Sequence, residues 1–194
     1  MSRSAARRER GRPRSAAADA SIAAATLELL VERGYAALTI EAVAERAGVT
    51  RPTVYRRHET RAALVTAAVA AAFAQANPAV PDTGAAREDV RLLLRNTIRM
   101  LRDTSIGAVI RAVVPELSRD PELRALATNL ERERRTLLRA ALARGVERGE
   151  LTLPGGVEVT IDALLGAIYL RLLITGRALS DRLAGELVGV ILPG

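Results

Sequence analysis

Within seven residues, from Arg51 to Arg57, the chain sets Arg51, Thr53, Tyr55, Arg56 and Arg57 around Pro52. Guanidiniums offer paired N–H donors that match guanine edges and phosphates, and Thr and Tyr hydroxyls donate to phosphate oxygens. The group therefore suits a polyanion. Covalent and acid–base chemistry has far less to work with. The chain holds one His, His58, and no Cys, which removes disulfides, thiolate metal sites and Cys nucleophiles. It has no Gly-rich phosphate loop and no His/Asp/Glu cluster at metal-ligand spacing. No catalytic residue, metal or cofactor is expected.

The charge is placed to match. The net charge is +7 over 194 residues. Residues 1–61 carry 12 Arg against 7 acids, and residues 62–194 carry 17 Arg against 15. The basic excess thus lies in the first third, around the Arg51–Arg57 group. Apolar residues at 49% can build a core, but aromatics are only 2%, so Leu, Val, Ile and Ala must supply it. That mix favours helices over β-sandwiches. The N-terminus lacks a signal-peptide pattern. The longest apolar stretches, Ala62–Ala76 and Ile161–Thr175, fall short of a membrane span. A soluble, cytoplasmic protein with no membrane partner is expected.

The elements that must position the basic group read as helices throughout. Met1–Arg14 holds six Arg and no apolar periodicity, which predicts a disordered basic arm. Either Arg10, Arg12 and Arg14 enter a minor groove, or the arm is a solvated tail. A helix is expected from Ser15 to a Gly34 cap. Thr39 caps a short helix, Ile40–Ala47, with Ile40, Val43, Ala44 and Ala47 at i, i+3, i+4 and i+7. Gly48 ends it. Thr50 is expected to cap a second short helix, with Pro52 in its first turn, running to about Arg57. Longer helices follow from Thr60, Arg87, Thr104, Pro121, Val157 and Ser180. The expected fold is all-α, with about nine helices.

Two short helices joined at a glycine, with small residues Ala44 and Ala47 where they cross and a polar outer face on the second, form a helix-turn-helix pattern. On spacing alone, an ordinary αα-hairpin with a solvated basic face fits as well. A helical interaction module that does not touch DNA is the alternative at the level of function.

The stretch LTIEAVAERAGVTRPTVYRRH at 38–58, with TRAAL at 60–64 and ERGY at 32–35, resembles the tetracycline-repressor (TetR) family. The match is close over about residues 15–70; beyond, only helix pattern and length agree. The resemblance implies a ligand-responsive transcriptional regulator, a repressor released from a palindromic operator by a small apolar inducer. Its partners would be double-stranded operator DNA, a second copy of the chain in a homodimer, and that inducer. Residues 15–60 would form the three-helix DNA-binding domain and residues 61–194 a helical-bundle domain for ligand binding and dimerisation. Thr39 would meet phosphate, and Arg51, Pro52 and Thr53 would start the recognition helix. Tyr55 would bind phosphate, Arg56 and Arg57 would reach bases or phosphate, and Arg61 would anchor on the backbone. Val43, Ala47, Val49, Val54 and Leu64 would be the small core beneath. His58 departs from the family's large apolar residue at its position and reads as a partly exposed packing residue rather than a pH sensor.

In the C-terminal two-thirds, resemblance puts Leu164, Leu165, Ile168, Leu172, Leu183, Leu187, Val188 and Ile191 in a two-fold helical interface. A ligand pocket is expected to be lined by Phe73, Leu94, Met100, Ile110, Val114 and Tyr169, with Asn96, Arg111 and Glu116 as polar contacts. Each of these also reads as plain core or surface.

Overall fold

The computed structural model describes residues 12–192, and these fold into nine α-helices without a strand. Three build the head: α1 (Arg12–Arg33), α2 (Ile40–Arg46) and α3 (Arg51–Tyr55). Six build the bundle: α4 (Arg61–Ala76), α5 (Ala86–Asp103), α6 (Ile106–Val113), α7 (Pro121–Glu147), α8 (Gly156–Leu170) and α9 (Asp181–Ile191). The expected arm lies outside the described residues except at its end, where α1 begins at Arg12, three residues before Ser15. Pro13 in the first turn costs no hydrogen bond.

Sequence-legible caps set three helix starts, whereas Thr50, expected to cap α3, makes no such bond and its hydroxyl meets that of Thr53 instead. Thr39, Thr60 and Asp120 accept hydrogen bonds from the backbone N–H groups of Ala42, Ala63 and Leu123 at 3.1, 3.1 and 2.9 Å. Each such cap contributes about 0.5–2 kcal/mol. Two helices change pitch where the sequence predicts plain continuation. After α6 the chain tightens into a 3-10 turn, Val114–Ser118, because Pro115 has no N–H to continue the α pattern. After α8 it widens into a π turn, Arg171–Thr175, ended by Gly176 at φ 63°.

Helix α4 packs on α1 in the head and on α7 in the bundle, while α5 packs on α7 and α9. The bundle core is aliphatic, with Val90, Leu94, Ile98, Leu142, Ile161, Leu164 and Ile168 fully buried. Its one fully buried acid, Asp89, accepts from the Thr83 N–H and hydroxyl at 2.8 Å and from Arg144 at 3.2 Å. A buried carboxylate is tolerable only with such partners, and here they pin the loop before α5 to α7. Gly145 on α7 lets the chain close: a Cβ there would lie 2.5 Å from Ala86 Cβ and 2.6 Å from Leu151 Cδ1. No helix among the described residues is long and apolar enough to cross a membrane.

Candidate functional site

Helices α2 and α3 meet across the turn 47–50. Gly48 takes φ +66°, a left-handed conformation that L side chains rarely adopt. The Val49 N–H donates to Ala44 O at 3.0 Å and the Gly48 N–H to Glu45 O at 3.2 Å, closing the end of α2. Beneath them Val43, Ala44, Val54 and Leu64 are buried, and Ala47 and Val49 pack half-buried against the same cluster. With its inner face locked this way, α3 turns the opposite face outward.

On that outer face Arg51, Pro52, Tyr55 and Arg56 are exposed and Thr53 is half-exposed. Thr50 and Thr53 share a hydroxyl–hydroxyl hydrogen bond of 2.9 Å. Tyr55 keeps only a long contact to Glu41, 3.4 Å, and Arg56 a similarly long one to Thr53, 3.4 Å. Thr39 is exposed at the start of α2, beside this face. Arg57 turns the other way: it pairs with Asp19 on α1 and donates Nη1–H to Thr53 O at 3.0 Å. His58 is half-buried, and burial pushes its imidazole below the usual range, partly offset by Asp19.

Arg61 is already engaged within the protomer. Its guanidinium lies 4.2 Å from the Tyr35 ring centroid and donates to Ala36 O at 3.2 Å. It belongs to a joint between head and bundle that sequence reasoning missed. The Tyr35 hydroxyl donates to Asp120 at 2.6 Å, and the Thr60 hydroxyl donates to Glu122 at 2.6 Å. Burial and the Asp120 hydrogen bond push the Tyr35 phenol up to about 12. The same contacts, led by the Leu123 N–H, hold Asp120 below the usual carboxylate range. The head is thus bound to the first turn of α7.

That turn leads to a half-open cavity of about 350 Å³ bordered by α4, α6, the 3-10 turn, α7 and α8. Of the expected liners, Phe73, Ile110, Val114 and Tyr169 are there. Asn96 and Met100 instead border a separate depression near Leu27 and Gln75, and Asn96 donates to Asn77 at 3.1 Å. Arg111 is exposed near Arg171 and Gly176, Leu94 is sealed in the core, and Glu116 pairs with Arg119 at 3.0 Å. Sequence reasoning missed Arg134 and Glu131. The signal was available: Leu123, Ala127, Leu130, Arg134 and Leu138 recur at helical spacing on the inner stripe of α7, and one of them is charged.

The last two helices correct the expected interface. Leu164, Leu165, Ile168, Leu172, Leu183 and Val188 are buried inside the protomer, while Leu187 and Ile191 are half-buried on the same core. The six buried residues are covered within the chain, where α9 lies against α5 and α8, while Leu187 and Ile191 keep part of their surface open. A different face is open. Val159, Leu170, Ile174 and Val190 are exposed, Ile174 at 76% and Val190 at 81%. Gly166, Gly185 and Gly189 have no atom within 4 Å of where a Cβ would stand.

A short helix crossing a second at a left-handed glycine, with a basic hydroxyl-bearing face held outward, defines a helix-turn-helix DNA-binding protein. The comparisons carry this to a family. Residues 22–68 match the bacterial regulatory proteins of the tetR family, and residues 80–191 match the tetracyclin repressor-like C-terminal domain. The chain belongs to the TetR family of transcriptional regulators, which are not enzymes. It is 33% identical to the HTH-type transcriptional regulator YdeS of Bacillus subtilis, over 93% of this chain and 90% of that one. It is also 33% identical to the DNA-binding transcriptional repressor TetR of Mycobacteroides abscessus, over 94% of each. Among solved structures, the FadR regulator of Bacillus subtilis in complex with stearoyl-CoA superposes with TM-score 0.74 at 18% identity, covering 90% of this chain and 98% of that one. A TetR-family regulator with 30% identity superposes with TM-score 0.70, covering 90% and 96%.

Proposed function

We propose that the chain is a cytoplasmic, ligand-responsive repressor that binds an inverted-repeat operator as a homodimer and is released by a small, largely apolar molecule in the inner cavity. The observation that carries this reading is the position of that cavity. Helix α4 begins three residues after His58 and supplies Val65, Val69 and Phe73 to the wall. Helix α7 supplies the facing wall, and its first turn grips the head through Asp120 and Glu122. A molecule that spreads α4 from α7 must shift the head. An effector changes DNA affinity only through such a difference between states.

The open face of α8 and α9 supports the dimer. Val159, Leu170 and Ile174 share one side of α8 and its π turn, and α9, which packs on α8, carries exposed Val190 and the open Gly185 and Gly189. Two copies of this face would form an isologous four-helix contact, with the glycines allowing close approach.

The test is a footprint and titration on the DNA upstream of the gene. A symmetric footprint is expected, with half-site centres about 34–36 Å apart or a small multiple of that, and steep weakening with salt. Against a panel of single-base operator variants, Arg51→Ala should cost about 1–3 kcal/mol and relax preference at one base pair per half-site. Tyr55→Phe should weaken all variants alike, because a phosphate contact carries no direct base information. A footprint without two-fold symmetry, or exchanged behaviour of the two variants, would overturn these assignments.

A further inference from the structure

The lining of the inner cavity is mostly apolar, and its one buried charged side chain is Arg134. Arg134 has a side chain only 10% exposed and holds its guanidinium 4.2 Å from the Phe73 ring centroid and 5.5 Å from that of Tyr169. Its carboxylate partner is Glu131, one turn earlier, which accepts from Nη2 and, at 3.2 Å, from Nε. The two acids and bases are not equally committed. Glu131 is 36% exposed and also accepts at 3.1 Å from Arg135, which does not line the cavity. Arg135 is in turn anchored to Asp162 at 2.7 Å. Glu131 can therefore leave the cavity and keep an ion pair, whereas Arg134 is pinned between rings and would be left as a buried, unneutralised cation. Such a cation is costly unless another anion replaces the one withdrawn. Arg124, the other cation lining the cavity, sits exposed and donates to Leu117 O at 2.8 Å. Thr66, on the same wall, has a buried hydroxyl with no hydrogen-bond partner.

We propose that the effector is an amphipathic carboxylic acid, whose apolar body fills the cavity and whose carboxylate takes Glu131's place on Arg134. This rests on reading the cavity as the effector site, and it adds the ligand's charge and the residue that selects it. Glu131 is then a built-in occupant of the anion position, displaced onto Arg135 when the ligand enters. A neutral molecule of the same shape leaves the Glu131–Arg134 pair intact and gains only apolar contact. A cationic one meets Arg134 across the cavity.

The experiment uses full-length protein and three twelve-carbon probes below their micellar concentrations: dodecanoate, dodecanol and dodecyltrimethylammonium. Binding is read by calorimetry and release by gel shift on the operator fragment. Dodecanoate is expected to bind about tenfold to a hundredfold more tightly than dodecanol, as a charge-assisted hydrogen bond in a buried site provides. In Arg134→Met that preference should vanish while dodecanol still binds. In Glu131→Gln, which removes the competing anion, dodecanoate should bind several-fold more tightly than to the wild type. The second variant keeps the test alive if the first does not fold. Equal binding of acid and alcohol, with DNA release retained, overturns the carboxylate inference and leaves the apolar-effector reading standing. Tighter binding of the ammonium probe, lost in Glu131→Gln, overturns it in favour of Glu131 as the ligand's partner. Failure of all three probes to bind overturns both readings.

Discussion

The head and the bundle use the same residues to different ends. In the head, nearly every apolar side chain near the turn has one destination: Val43, Ala44, Val54 and Leu64 close on one another within a short stretch of chain. The outcome is a small rigid body that presents Arg51 and Tyr55 with only weak ties of their own. In the bundle, equally apolar stripes go to three places. Leu164 and Ile168 fill the core, Phe73 and Ile110 border a cavity, and Ile174 and Val190 stand in the open. A reader of DNA must be pre-organised, so its core is filled locally. The bundle leaves space and apolar surface unfilled, as the proposed effector and second copy would require, and it draws its stability from long-range packing elsewhere. The joint of Tyr35, Thr60, Asp120 and Glu122 lies between these two regimes.

The largest expected effect tests the open face. Ile174→Asp, exposed in the protomer, should leave the fold and the isolated head intact but convert the dimer to monomer in sedimentation. Operator affinity should drop by about 10²-fold or more, because the second half-site no longer benefits from being tethered. A dimer that persists would return the interface to residues that now look like core.

Two glycine substitutions sharpen the contrast in packing. Gly145→Ala places a methyl against Ala86 and Leu151 and should lower stability by about 1–3 kcal/mol, as overpacking does. Gly48→Ala meets no neighbour and pays only for its left-handed backbone, about 1–2 kcal/mol. Thermal unfolding measures both. The head variant should in addition lose DNA affinity beyond its loss of stability, because the angle between α2 and α3 depends on that turn, whereas Gly145→Ala should not.

The smallest effects come from pH and are read at one residue of the joint and one of the bundle. The Tyr35 phenol ionises at about 12 against an ordinary 10.0, so its contribution to the joint is fully present below pH 10 and lost as pH rises toward 12. Asp181 sits between Arg99 and Arg102, whose guanidiniums hold its carboxyl at about 2 against 3.8. Its clamp of α9 on α5 is fully present above about pH 4 and lost as pH falls toward 2. Melting temperature against pH should lose part of its alkaline slope in Tyr35→Phe and part of its acid slope in Asp181→Asn.

What the sequence determined by itself is whatever short-range physics specifies. Helix count and most boundaries follow from caps such as Thr39, Thr60 and Asp120 and from punctuation by Gly34, Gly48 and Pro121, each acting within a few residues. The Arg51–Tyr55 face was legible for the same reason: in a five-residue helix, burying Val54 fixes which side faces out. The tertiary structure alone decided where long stripes point and which charges are already taken. Arg57 and Arg61 read as free basic side chains until α1 supplies Asp19 to one and Tyr35 stacks under the other, contacts that no local pattern announces. Leu164 and Ile168 read as an interface until α5 and α7 cover them. An apolar stripe states that a surface must be covered, not by what, and that choice depends on partners far away in the chain.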